Sequence, residues 1–259
     1  MHVFWSGDMQ ISELMEIVMK AGEIMLTSGA EIYRVEETIV RICNSYHVQS
    51  ESFVLPTGIF VSARDENGCM QTAFKRIRLR TYDLNRIDRV NAFSRGLGEN
   101  LPDYETAAKA LYDIENGGRH ALSLRLLAAA AGSFVFAVLF NGTFYDGIAA
   151  AVIGTVIYLL GEILSRKGFF PFFELFAAGM AAGFLSLAAV KIFPVLNEYR
   201  IIIGSVILLL PGMAITNGIK DALYGDLVSS FTRLGEAFMV AVALAAGVVL
   251  SVTIGINGW

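Results

Sequence analysis

The chain has 259 residues, of which 55% are hydrophobic and only 17% charged, with a net charge of −4. Its mean hydropathy of +0.57 excludes an ordinary soluble enzyme, and no basic surface calls for nucleic acid. Charge is uneven: residues 1–120 carry 13 Lys and Arg against 17 Asp and Glu, whereas the longer remainder carries seven of each. The shift near Gly117-Gly118 predicts two domains. Residues 1–118 form a cytoplasmic α+β domain in the order ααββαα, and residues 119–259 an integral membrane α-helical bundle of about five transmembrane helices.

Met1–Gln10 has neither a basic n-region nor an apolar h-region, so no cleaved signal peptide is expected. Ile11, Leu14, Met15, Val18, Ile24 and Met25 recur at helical spacing. Ser28 and Glu31 then stand at the spacing of a capping box, in which Ser28 accepts from the Glu31 amide and Glu31 reaches back. The helix that follows places Ile32, Val35, Ile39 and Ile42 on one face, with Glu31, Arg34, Glu37 and Arg41 pairing along its flank.

Two strands come next, Ser52–Arg64 and Met70–Leu79, around an Asp65-Glu66-Asn67-Gly68 turn. Pro56 and Gly58 predict an edge or a bulge in the first. Arg76, Arg78 and Arg80 alternate onto one face of the second, which reads as an exposed strand face or an anion or lipid-headgroup patch. Helices over Leu84–Leu97 and Asp103–Glu115 close the domain. Cys43 and Cys69 and the three histidines follow no metal or redox spacing, and no nucleophile–base pattern is present. No enzyme, metal or cofactor is therefore expected.

Five stretches are long and apolar enough to span a bilayer: Ala121–Phe140, Gly147–Leu164, Phe172–Phe193, Ile201–Ile219 and Leu234–Ile256. Loop charges predict a cytoplasmic N-terminus and an external C-terminus. Arg119, Arg125, Arg166, Lys167, Lys220 and Arg233 fall on one side, against Lys191 and Arg200 on the other. Gly147, Gly154 and Gly161, and the pair Gly179 and Gly183, form small-residue stripes that suit packing within the bundle.

Chemistry concentrates in Leu208–Asp221. Pro211 lacks a backbone N–H in the middle of an apolar span and Gly212 follows it, so the helix should break there. Beyond the break, Asn217, Lys220 and Asp221 share one helix face at i, i+3 and i+4, beside Thr216. Arg233 and Glu236 open the fifth span and could join the same cluster. Ionisable groups at membrane depth are costly and mark functional sites, so these residues are the candidate substrate- or ion-binding set. Lys220 could neutralise a carboxylate or pair with Asp221, and Asp221 could carry a proton. The bland alternative is a Pro-kinked helix whose charged end sits at the cytoplasmic interface. Glu162 and Glu174, flanking the Arg166-Lys167 loop, read as surface carboxylates.

Several separated motifs carry a family likeness. Ser28-Gly29-Ala30-Glu31-Ile32-Tyr33-Arg34-Val35-Glu36-Glu37-Thr38, Pro56-Thr57-Gly58-Ile59-Phe60-Val61, and Pro211-Gly212 with Thr216-Asn217, Asp221 and Arg233 resemble the threonine/serine exporter (ThrE-type) family. The resemblance runs from about Ile11 to the fifth span. It implies a multi-pass protein in the plasma (inner) membrane of a prokaryote, exporting threonine and serine or dicarboxylates such as succinate. Coupling of that export to the proton gradient is the expectation that goes with Asp221 as a proton carrier. The resemblance also implies a partner, because a chain of five spans matches the split members, whose second half is a separate small membrane subunit; self-association into a homo-oligomer is the alternative. A membrane-anchored metabolite sensor using residues 1–118 is the competing reading.

Overall fold

The computed structural model describes residues 9–64, 68, 70–78, 81–98, 101–118 and 120–258. The expectations for Met1–Asp8, Asp65–Asn67, Cys69, Arg80 and Arg119 lie outside these residues. The chain forms two compact units, Met1–Gly118 with Met213–Leu234, and Arg119–Gly212 with Gly235–Trp259. The units change over at 118/119, 212/213 and 234/235. A segment assigned by hydropathy to the membrane half packs with the N-terminal residues instead.

In the first unit, α1 (Ile11–Thr27) and α2 (Ile32–Ser45) precede three strands, β1 (Gln49–Leu55), β2 (Gly58–Arg64) and β3 (Met70–Arg76). Helices α3 (Leu84–Gly96) and α4 (Tyr104–Glu115) follow. The strands form an antiparallel meander in the order β1-β2-β3. One face of the sheet buries Val54, Ile59, Val61 and Ala63 with Ile17, Val18, Met25, Val35, Ile39 and Leu111 of the helices. This is the layered burial that the helical and alternating patterns required.

Two local expectations are corrected. The single strand over Ser52–Arg64 is a hairpin, with Leu55 paired to Gly58 across Pro56-Thr57. Pro56 has no N–H for a ladder and a fixed φ suited to a turn. At Gly58 a Cβ would lie 3.1 Å from the Phe74 ring and 3.3 Å from the Lys75 carbonyl of β3, a tight fit that glycine relieves. The capping box does not form either. Ser28 ends α1, Glu31 stands at the N-cap of α2, and its side chain makes no cap hydrogen bond. The flank pairs are present: Arg34 lies 3.2 Å from Glu31, and Arg41 bonds Glu37.

On the other face of the sheet Phe60 stacks on Phe74 at 4.6 Å, Phe53 lies tilted beside Phe60 at 6.3 Å, and all three stay exposed. Arg76 and Arg78 are exposed beyond them.

Strand β1 is an edge, and Glu36 of α2 accepts a hydrogen bond from its Val54 N–H at 2.9 Å. Burial pushes the Glu36 carboxyl above its usual range, against that hydrogen bond and with the help of nearby Asp226. A carboxyl raised on folding holds its proton more tightly when folded. Its charge therefore costs stability above the folded-state pKa, and the cost vanishes as pH falls through it. Glu36→Gln keeps the acceptor without the charge. It should raise the thermal midpoint at pH 7, with the gain shrinking toward acid pH; a lower midpoint at pH 7 would contradict this account.

The second unit contains α5 (Leu122–Leu139), α6 (Phe144–Arg166), α7 (Pro171–Ile192) and α8 (Glu198–Val206). A 3-10 turn over Ile207–Leu209 follows; α9 (Gly212–Leu223) and the start of α10 (Leu227–Gly258) then belong to the first unit, and α10 returns to the second from Gly235 on. Four of these helices are long and apolar enough to cross a membrane, and a fifth span results if the bent pair α8 and α9 counts as one. The five stretches expected from hydropathy correspond to these elements.

Small residues set the helix contacts. A Cβ at Gly147 would meet Phe134, and one at Gly154 would meet Ser133, both on α5. Gly161 has open space around it. Gly179 and Gly183 face Leu244 and Ser251 of α10, and Gly247 returns the contact against the Phe176 carbonyl. Asp146 is fully buried at the start of α6. It accepts from the Thr143 amide (2.8 Å) and hydroxyl (2.9 Å) and from the Asn197 amide (2.7 Å), tying two helix connections together. Thr143 and Asp146 form a capping box, whose spacing is visible in the sequence.

Candidate functional site

The break falls where Pro211 demanded it. Leu210 is extended (ψ 141°), and α9 starts afresh at Gly212. Pro211 is half-buried there, while Gly212 and Thr216 are exposed. The shared face of Asn217, Lys220 and Asp221 turns toward the loop joining α1 to α2. Asn217 and Asp221 are 2% and 0% exposed, and Arg233, near the start of α10, is 2% exposed.

The loop is Ser28-Gly29-Ala30-Glu31, and its backbone polar groups are taken up one by one. Thr27 O and Ser28 O accept from the Thr81 and Asp83 amides at 2.8 and 3.1 Å. Gly29 O accepts from Asn217 Nδ2 at 2.8 Å, and Ala30 O accepts from Arg233 Nη2 at 2.6 Å. The Ile32 amide, first in α2, donates to Asp221 Oδ1 at 3.1 Å. Asp221 thus caps α2 from a distant part of the chain, its charge set against the positive helix end. This contact supplants the expected Ser28–Glu31 box. Gly29 takes φ +86°, and a Cβ there would lie 2.6 Å from the Tyr82 ring, so the loop needs glycine.

Two ion pairs flank these contacts. Arg233 Nε lies 2.9 Å from Asp221 Oδ2, close enough for strong attraction but without the alignment of a hydrogen bond. Lys220 Nζ donates to Glu31 Oε1 at 2.9 Å, with the amine half-exposed and the carboxylate buried. Burial would raise the Glu31 carboxyl, but the Lys220 hydrogen bond, its own backbone amide and the Arg34 charge outweigh that and hold it below its usual range. Tyr33 and Tyr224 stack at 4.0 Å beside the pair.

The structure therefore brings together four of the eight sequence candidates, Asn217, Lys220, Asp221 and Arg233. Lys220 and Asp221 do not pair with each other. Glu236 belongs to the second unit, farther along α10. Gly29, Ala30 and Ile32 were missed as site residues, because their contribution is made by backbone atoms that carry no sequence signal. Among the described residues no three of His, Cys, Asp and Glu come together as a metal set. Chemically the cluster is a set of charged and amide groups bonded to the backbone of a loop.

Four helices long and apolar enough to cross a membrane, with a further apolar pair bent at Pro211, mark a multi-pass membrane protein. The chain belongs to the family described as "Putative threonine/serine exporter", whose model matches residues 16–255. It is 26% identical over 258 residues to a "Probable threonine/serine exporter" of Mycobacterium tuberculosis, covering 97% of this chain but 47% of that relative. The chain thus spans about half the length of that relative. It is 23% identical over 238 residues to a "Probable succinate transporter subunit YjjP" of Klebsiella aerogenes, covering 91% of this chain and 92% of the relative. The subunit of the same description from Escherichia coli is 23% identical over 246 residues, covering 94% and 95%. No solved structure matches.

Proposed function

We propose that this chain is one subunit of an exporter for small polar metabolites, threonine and serine or a dicarboxylate such as succinate. It works in a prokaryotic plasma membrane, driven by the proton gradient, with residues 1–118 in the cytoplasm and the C-terminus outside. A second small membrane subunit of the same family supplies the remaining spans; a homo-oligomer is the alternative assembly. The observation that carries this reading is the break at Pro211 followed by buried Asn217 and Asp221. A mere anchor has no use for a broken span with buried charge, which argues against a membrane-tethered sensor.

In this reading the Gly29–Ile32 loop occupies the cluster in the closed state. When the loop leaves, Asn217, Lys220, Asp221 and Arg233 become available to a passing solute, with Thr216 and the Pro211-Gly212 break beside them and Asp221 as the proton carrier. Glu236 would extend the set along α10. The test is reconstitution in liposomes, with and without the second subunit, under an imposed pH gradient. Labelled threonine, serine or succinate should leave the vesicles, and Asp221→Asn should abolish that efflux in protein that still inserts. Absence of efflux in every arm would end the exporter reading.

A further inference from the structure

The outer face of the β1-β2-β3 sheet is apolar at its centre and basic at its rim. The register sets Phe53 opposite Phe60 and Phe60 opposite Phe74, so three rings form one row across the strands. These residues are 58%, 41% and 56% exposed, and Met70 on the same face is 57% exposed. Alternation along the strands brings Arg64 and Arg76 to this face, and Arg78 continues it just past β3. Glu51 is the one acidic residue there among the described residues. The face is therefore positive, in a chain whose net charge is −4. Among the described residues no carboxylate pairs with Arg64, Arg76 or Arg78. Lys75 differs: it points to the helical side and lies 3.1 Å from Glu23, so its charge is used within the fold. Rings left in water as a contiguous row cost hydration free energy, and such a patch marks a surface that meets a partner.

We propose that this sheet face docks on an anionic phospholipid surface, with Phe53, Phe60 and Phe74 entering the headgroup boundary and Arg64, Arg76 and Arg78 meeting phosphates. Apolar area supplies depth and positive charge selects anionic lipid, the combination that holds a peripheral surface to a bilayer. Charge argues against a second copy of the chain as the occupant. Two copies of the face brought together would set one positive excess against the other, with a single Glu51 on each side to offset it. Lipid is also close at hand. Gly118, Met213 and Leu234 of the first unit run directly into the second, which carries helices long and apolar enough to cross a membrane. Docking is then intramolecular, and a modest face suffices at the high effective concentration that a tether provides. The inference does not depend on which solute is exported. It gives the α+β unit an attachment that follows the anionic-lipid content of the membrane.

The test places the photoreactive residue p-benzoylphenylalanine at position 60 of the full chain, and in a second variant at position 53, where the ring is more exposed and less tightly stacked. Each is reconstituted in vesicles of phosphatidylcholine with an equal part of phosphatidylglycerol, illuminated, and its adducts identified by mass spectrometry. Tyr112, exposed on α4 in the helical layer, receives the same probe as a control for chance collision with lipid. Lipid adducts should form at positions 60 and 53 and not at 112. Their yield should fall roughly fivefold or more in vesicles of phosphatidylcholine alone, and equally in the Arg76→Gln/Arg78→Gln variant, since each cation near an anionic surface strengthens binding by about that factor. Adducts to peptide instead of lipid, whether from this chain or another copy, overturn the assignment. So does a lipid yield that ignores headgroup charge, one that is equal at position 112, or the absence of adducts at both sheet positions.

Discussion

Arg233→Met is expected to destabilise the first unit by about 3–5 kcal/mol, the usual cost of leaving one member of a buried ion pair without its partner. Asp221 is fully buried, and without Arg233 the Ile32 amide is left to face its charge among the described residues. The Ala30 carbonyl would lose its donor in the same step. Asp221→Asn should cost a comparable amount, since the amide oxygen can still accept from Ile32 while the Arg233 guanidinium is left without an anion. The double variant should recover much of the loss, because the desolvation of both charges disappears with them. Lys220→Met gives the contrast. Its amine is half-exposed, and a pair screened in that way contributes at most about 1 kcal/mol. Thermal unfolding of the four purified variants in one detergent checks the series. If Arg233→Met melts with the parent, the pair is not what holds the Gly29–Ile32 loop.

Gly247→Leu is expected to disrupt the contact between α7 and α10. A Cβ at position 247 would stand 2.2 Å from the Phe176 carbonyl oxygen and 2.9 Å from the Met180 nitrogen. Both are helix backbone atoms and cannot swing aside as a side chain would, so the helices must part. Overpacking of this kind costs about 1–3 kcal/mol for a methyl group, and the full leucine should exceed that. The loss falls where close backbone approach, rather than a hydrophobic drive, holds helices together. Gly235→Ala on the same helix is the matched control, since no atom lies within 4 Å of its Cβ position. It should be neutral or slightly stabilising, because alanine loses less backbone freedom than glycine on folding. Melting temperatures of the two variants decide it, and equal values would show that the α7–α10 contact adapts freely.

Much of the architecture was legible because its causes are local. Runs of about 20 apolar residues, a proline inside one of them, and helical spacing at Ile32, Val35, Ile39 and Ile42 each act over a few residues. The break after Leu210 follows from a missing N–H at Pro211 alone. The same locality explains the misreadings. Ser28 and Glu31 have the spacing of a capping box, yet Asp221 takes that place because a fully buried carboxylate facing Arg233 is the stronger partner for the α2 terminus. Pro56 signalled an interruption, but a turn and a bulge differ only in whether the chain reverses, which the pairing of Leu55 with Gly58 decides.

From the sequence by itself came the membrane class, the helix break and the shared face of Asn217, Lys220 and Asp221. Only tertiary structure decided what that face meets: Asn217 reaches the carbonyl of Gly29, 188 residues away along the chain. A backbone carbonyl is identical in every residue, so no pattern of side chains can announce which one will be left open to receive a donor. Folding alone brings the two together.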